Sequence, residues 1–269
     1  MTREPTESLE SFRVVLSIAA SRASWLRAIE VVEEVGSTMD AAADRPVGTF
    51  LIALRQTQGR GRQGRRWIDD GGGVACTAVA PPGDPREVSI RAAVAAAEAL
   101  DGWLGVGVAR LKFPNDLMVG ERKIGGILIV RDDRRALVGV GINVRQQRFD
   151  ADLAATATSL AIEDAPPRSA PRETVAAALL AAIDRWMLAP FALVREVWRS
   201  RDWLRGRLSR WQVGEEELAG RVVSIDPVEW IELDLGSGVR RIPAAGATLL
   251  DVARKEAGPT GVARSMDGG

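Results

Sequence analysis

A chain of 269 residues, 46% hydrophobic and 27% charged, has the composition of a soluble globular protein and can bury a full core. Thirty-six Lys and Arg against thirty-six Asp and Glu leave no formal net charge, which argues against a general nucleic-acid binder. A single cysteine, Cys76, excludes an internal disulfide or Cys-cluster zinc site, and the absence of histidine excludes Ser-His or Cys-His pairs and His-ligated metals.

Enzyme chemistry in such a chain must run on Arg, Lys, Asp and Asn, which favours positioning and charge stabilisation over imidazole proton transfer. No stretch approaches the roughly 18 to 20 apolar residues of a membrane span, and the N-terminus lacks a signal pattern. A cytoplasmic location is expected.

Residues 1–28 read as an extension with a helix between Ser11 and Ile29, too short for a separate DNA-binding domain. Ile29 to Val35 reads as a strand. Ser37 or Thr38 then fits a helix N-cap before Met39; plain capping or a polar site at the strand end both suit it.

Thr49 to Leu54 and Gly73 to Val79 read as strands joined by Gln56 to Trp67, QTQGRGRQGRRW. Gly59, Gly61 and Gly64 let this loop wrap closely, and Arg60, Arg62, Arg65 and Arg66 carry guanidinium forks suited to carboxylate and phosphate. The arrangement is strand–loop–strand without a Lys-Ser/Thr pair, so it is not a P-loop. By itself the loop also fits a solvated arginine-rich hairpin or a nucleic-acid patch.

Arg86 to Leu100 has helical spacing. Val108 to Phe113, Leu117 to Val119, Lys123 to Val130 and Ala136 to Val144 read as strands joined by tight turns, the first stopping at Pro114-Asn115-Asp116. Period two puts Gly139, Gly141 and Asn143 on one face, bare enough for something flat to lie against. Residues 145–170 are polar, and helices are expected over Pro171 to Leu188 and Phe191 to Trp203. From Gly214 short β runs with turns at Asp226-Pro227 and Gly236-Ser237-Gly238 suggest a small barrel. The fold class expected is α+β: a mixed, mainly antiparallel sheet packed with helices, plus a small C-terminal β-barrel. The expected divisions are 1–28 helical extension, 29–208 catalytic domain, 209–252 barrel, and 253–269 disordered tail.

Four segments in order, Gln56 to Arg65, Lys112-Phe113-Pro114-Asn115-Asp116, Lys123 to Leu128 and Gly139 to Val144, resemble the biotin protein ligase family. The resemblance spans about residues 29–250. It implies a two-step reaction, in which biotin's carboxylate attacks the α-phosphate of ATP and a carrier-protein lysine then takes the acyl group from biotinyl-adenylate. Magnesium accompanies the first step. By motif position it implies that Ser37, Thr38, Gln56, Gly59, Arg60, Lys123, Gly125 and Gly126 bind biotin. Arg60, Arg62, Arg65, Trp67, Lys112, Asn115 and Asn143 would meet ATP, Trp67 and Asn143 at the adenine. Arg62, Lys112, Lys123 and Asp116 would be catalytic, with Asp116 a partner for magnesium or the acceptor lysine. Lys112 and Asp116 also fit hairpin-surface roles, and Trp67 a core role.

The implied partners are a biotin carboxyl carrier protein domain, biotin and ATP, with no DNA and no membrane; a homodimer is admitted. Two departures stand out: Met39 replaces the family's usual Asn, and Phe113 its usual Trp. Met39 removes an amide near the implied ureido pocket, which leaves lipoate or octanoate ligation as the alternative acyl transfer. A non-catalytic ligand- or carrier-binding module is the alternative outside enzymes.

Overall fold

The alternating run at 136–144 lies at the centre of a sheet in the computed structural model, which describes residues 8–163 and 170–253. The tail from 254 onward lies outside the described residues. Strands β1 (Ala28–Val35), β2 (Thr49–Gln56), β3 (Gly73–Ala80), β4 (Arg110–Lys112), β5 (Asp116–Val119), β6 (Arg122–Arg131) and β7 (Ala136–Asn143) take the order β1-β2-β3-β7-β6-β5-β4. Only β1 and β2 run parallel; the other neighbours are antiparallel. The tight turns are those the sequence signals: Gly120 takes φ 56° between β5 and β6. Asp132 accepts the N–H groups of Arg134 and Arg135 at 2.8 and 2.9 Å before β7.

The helices are α1 (Leu9–Ala20), α2 (Thr38–Ala41), α3 (Pro85–Ala99), α4 (Asp101–Leu104), α5 (Ala151–Ala154), α6 (Arg172–Leu188) and α7 (Phe191–Ser200). α6 packs against both α1 and α3, and the three cover one face of the sheet. The capping Asp84 and Pro85 at the first helical position start α3, and its small face of Ala92, Ala93, Ala95 and Ala96 is buried. Phe50, Ile52, Cys76, Ala78, Val138, Val140 and Ile142 belong to this main core. Full burial of a side chain such as Phe50 or Ile52 contributes about 2 to 3 kcal/mol. The opposite face is different. There Leu51, Val79 and Leu137 form a small separate cluster with Met39 and Ala42 of the α2 region, with Val32, Ala41, Ala43 and Leu128 packed at its edge. Period two thus splits β7 between a helix-covered face and a face left for a site.

Three expectations are corrected. α7 ends at Ser200, three residues early, because the next peptides pair with β4: Leu111 N–H donates to Arg201 O at 2.8 Å and Trp203 N–H to Leu111 O at 2.9 Å. The C-terminal β runs begin before Gly214, with β8 (Leu208–Val213), followed by β9 (Glu216–Asp226), β10 (Trp230–Asp234), β11 (Val239–Pro243) and β12 (Ala247–Val252). It is a five-stranded antiparallel sheet in the order β11-β10-β9-β8-β12, and among the described residues β11 and β12 do not pair to close a barrel. Ala244-Ala245-Gly246 still joins its two edges, so the end of β11 and the start of β12 lie within about 14 Å of each other. The β11 edge is charged, with Arg240 and Arg241 paired to Glu216 and Glu232, a composition that discourages further strand pairing.

Candidate active site

Polar groups gather where β2 ends beside α2. Ser37 caps α2 by accepting the Met39 N–H at 3.3 Å. Thr38 donates its N–H and its hydroxyl to Gln56 Oε1 at 2.7 and 3.0 Å, and Thr77 donates its hydroxyl to Thr38 Oγ1 at 3.0 Å. All four are buried. The Gln56 amide nitrogen, its donor end, lies beside Gly59. Gln56 is held from behind, its N–H donating to Asp69 Oδ2 at 3.0 Å while Gly71 N–H donates to Oδ1 at 3.0 Å. Burial raises the Asp69 carboxyl above the ordinary carboxylate range, against the lowering effect of those two N–H groups.

The arginine-glycine loop closes on itself. Gly61 N–H donates to Arg65 O at 2.7 Å and Trp67 N–H to Gly59 O at 2.9 Å, around a turn at Gln63 and Gly64 with φ 56° and 72°. A Cβ on Gly59 would stand 2.5 Å from Trp67 O, so glycine is required there. Arg60, Arg62 and Arg65 line a cleft of about 850 Å³ with Leu128 and Val130 of β6. Arg60 pairs with Asp40 at 2.9 Å, Arg66 donates to Thr57 O at 2.8 Å, and Arg62 donates to Asn115 Oδ1 at 3.2 Å.

The Arg62 contact joins the loop to the hairpin of β4 and β5. Asn115 donates to Ile127 O at 2.9 Å, and Lys112 and Asp116 stand opposite in the ladder. Asp116 Oδ1 is 2.5 Å from Lys123 Nζ, whereas Lys112 Nζ stands 5.2 Å from the centre of the Trp203 ring. Gly126 lies against Lys123 Nζ, and a Cβ on Gly125 would meet Gly141 O at 2.6 Å.

The bare face of β7 is occupied by the chain's own side chains. A Cβ on Gly139 would meet Met39 Sδ at 2.6 Å, and one on Gly141 would meet Trp67 Cε2 at 2.6 Å. Asn143, expected at an adenine, is buried and donates to Thr158 O at 2.9 Å, so at least one amide hydrogen is committed within the protein. Cys76 lies on the helix-covered face, where burial pushes its thiol pKa far up and leaves no nucleophile.

The structure therefore gathers the expected residues into a buried polar group (Ser37, Thr38, Gln56), an arginine-lined cleft, and the β4–β5 hairpin carrying Lys112, Asn115 and Asp116, with Lys123 on the neighbouring β6. The arrangement can bind an anion among fixed cations. It holds no free base, since Asp116 is tied to Lys123. Thr77 and Asp69 were missed by sequence reasoning. Thr77 did leave a signal, as a hydroxyl in the apolar run of β3 that must find a partner when buried. Asp69 left none beyond its place in the loop.

Residues 37–147 match the model of the biotin/lipoate A/B protein ligase family. The chain is 30% identical over 220 residues to the biotin--[acetyl-CoA-carboxylase] ligase of Paracoccus denitrificans, over 73% of this chain and 88% of that protein. It is 29% identical over 220 residues to the bifunctional ligase/repressor BirA of Bacillus subtilis, over 76% of this chain and 67% of that one. The solved biotin protein ligase of Aquifex aeolicus, in complex with biotin and ATP, shares its fold with a TM-score of 0.75 at 24% identity, over 85% of this chain and 100% of that one. Motif order, fold and the extent of these matches agree: the chain belongs to the biotin protein ligases of the biotin/lipoate A/B protein ligase family.

Proposed function

We propose that this protein activates biotin with ATP and transfers it to a lysine of a biotin carboxyl carrier protein domain. In the first step a biotin carboxylate oxygen bonds to the α-phosphorus and pyrophosphate leaves. In the second the acceptor amine bonds to the acyl carbon and AMP leaves. The observation that supports the reading is the Arg62–Asn115 contact, which joins the arginine loop to the turn between β4 and β5 that Lys112 and Asp116 flank. An ionised carboxylate needs no base to attack, so a site without histidine serves the first step by positioning and charge stabilisation.

In this proposal the donor end of Gln56, with Ser37 and Thr38, meets the ureido ring, and Gly59, Gly125 and Gly126 let the backbone approach the ligand. Arg60, Arg62 and Arg65 meet the carboxylate and phosphates, and Lys112 and Lys123 the charge developing at the α-phosphate. Trp67, Asn115 and Asn143 complete the nucleotide side. No group of three or more His, Cys, Asp or Glu among the described residues could hold a metal ion. Magnesium therefore fits only as an ion held largely by nucleotide phosphates, with Asp116 as its protein ligand; it would neutralise phosphate charge. The catalytic unit is proposed as 29–208 and the smaller unit as 209–252. The protein is proposed to act in the cytoplasm; no described helix is long and apolar enough to cross a membrane. A homodimer belongs to the proposal and is tested by light scattering.

Lipoate or octanoate ligation is the second reading, favoured by the Met39 thioether packed on Gly139 beside the polar group. ATP–pyrophosphate exchange with biotin, lipoate, octanoate and no acid, followed by label transfer to an apo carrier domain, decides between them. Exchange with biotin alone supports the proposal. Exchange only with lipoate or octanoate moves the substrate, and none with any acid overturns adenylation.

A further inference from the structure

Lys112 of β4 and Lys123 of β6 are held by different chemistry. Lys123 is neutralised by Asp116 at 2.5 Å. Among the described residues no carboxylate pairs with Lys112; its ammonium instead faces the Trp203 ring at 5.2 Å. An aromatic face attracts a cation through its quadrupole without cancelling the charge. The charge stays available to an anionic substrate.

Trp203 is itself firmly placed. The segment after α7 pairs with the short β4 through Leu111, in parallel register with Asp202. The Trp203 indole N–H donates to Gly120 O at 2.7 Å, and the Arg207 guanidinium lies 3.6 Å from the ring centre. Arg207 is fixed in turn by Glu121, at 2.9 and 2.5 Å, and by Trp203 O at 2.8 Å. These partners belong to the β5–β6 turn and to the segment leading into the C-terminal sheet. We propose that Trp203 is a positioning residue that holds Lys112 as an unneutralised cation, coupling the C-terminal junction to the adenylation step. The proposal rests on the reading of Lys112 as a group that meets the reacting carboxylate and phosphate.

The test is a double-mutant cycle in biotin-dependent ATP–pyrophosphate exchange, with Trp203→Leu, Trp203→Phe, Lys112→Ala and Lys112→Ala/Trp203→Leu. Trp203→Leu is expected to lower kcat by about 2- to 30-fold with the KM for biotin unchanged, from the strength of cation–π contacts. Trp203→Phe keeps a ring and should restore most of that loss, and Trp203→Leu should cost nothing further in the Lys112→Ala background. An equal loss in that background, or no rescue by Phe, would make Trp203 merely structural and overturn the proposal. So would full activity of Trp203→Leu beside a weakened Lys112→Ala. Full exchange by Lys112→Ala would instead remove the reading of Lys112 on which the proposal rests, and the proposal with it. A second readout needs no Trp203 variant. Lysine occurs only at Lys112, Lys123 and Lys255, so reductive 13C-methylation gives few resonances. The signal that disappears in Lys112→Arg should be shifted upfield by the ring current, and an unshifted signal would count against the contact.

Discussion

Replacing Gly141 by alanine puts a methyl group where the Trp67 indole lies, 2.6 Å from Cε2, 2.7 Å from Cζ2 and 3.1 Å from Cδ2. A rigid ring cannot yield by bending, so it must leave the face of β7. Trp67 is half-buried, and half of the roughly 150 to 250 Å² a Trp can bury is worth about 2 to 3 kcal/mol at 25 cal/mol per Å². Losing that contact sets the upper limit of the cost. Gly141 does not have a positive φ, so alanine fits the backbone and returns about 0.4 to 1 kcal/mol through the unfolded chain. The expected net destabilisation is about 1 to 2 kcal/mol, or roughly 2 to 4 °C in Tm for a chain of this size. Urea unfolding of wild type, Gly141→Ala, Trp67→Ala and the double variant measures it. In the Trp67→Ala background Gly141→Ala should be neutral or slightly stabilising, giving a coupling of about 2 kcal/mol. The same cost in both backgrounds would refute the reasoning, because the clash would then not be with the ring.

Asp202 gives a pH signature. Burial pushes its carboxyl up to about 6, the N–H of Leu204 opposing the rise. A raised carboxyl stabilises the fold in its protonated form, so the contribution is complete below about pH 3.8 and lost as pH rises through about 6. Asp202→Asn should therefore gain stability relative to wild type between pH 4 and 8, on the order of 3 kcal/mol in urea midpoints; a pH-independent difference would sink the idea. Arg62→Ala should release biotinyl-adenylate on the order of ten- to a hundredfold faster, as expected for a lost charge-assisted hydrogen bond, with biotin affinity changed far less. Unchanged release would remove Arg62 from the adenylate site. Residues 55–68 should be cut by trypsin in the free protein and protected by biotin plus ATP, since the four arginines of the loop are exposed; equal cutting under both conditions would argue against ordering by ligand.

Local pattern determined much of this protein. The alternation along 136–144 already separated the faces of β7, and the glycines and arginines of 56–67, with the Lys-Phe-Pro-Asn-Asp turn, marked the segments of the candidate site. Those features depend on residues near one another in the chain, where backbone sterics and two-residue periodicity act directly. What filled the face of β7 was decided elsewhere. Met39 meets Gly139 and Trp67 meets Gly141 only because β2, β3 and β7 lie side by side in one register. The same register puts the Thr77 hydroxyl on Thr38, and the loop returning to β3 puts the Asp69 carboxylate behind Gln56. Trp203 reaches Lys112 from about ninety positions away because the peptides after α7 pair with β4, an ending no helical periodicity could foretell. The C-terminal strands were likewise legible one by one, while the openness of their sheet depended on whether its edge strands β11 and β12 pair. Sequence fixes which groups must find a partner; only the closed chain decides which partner is within reach.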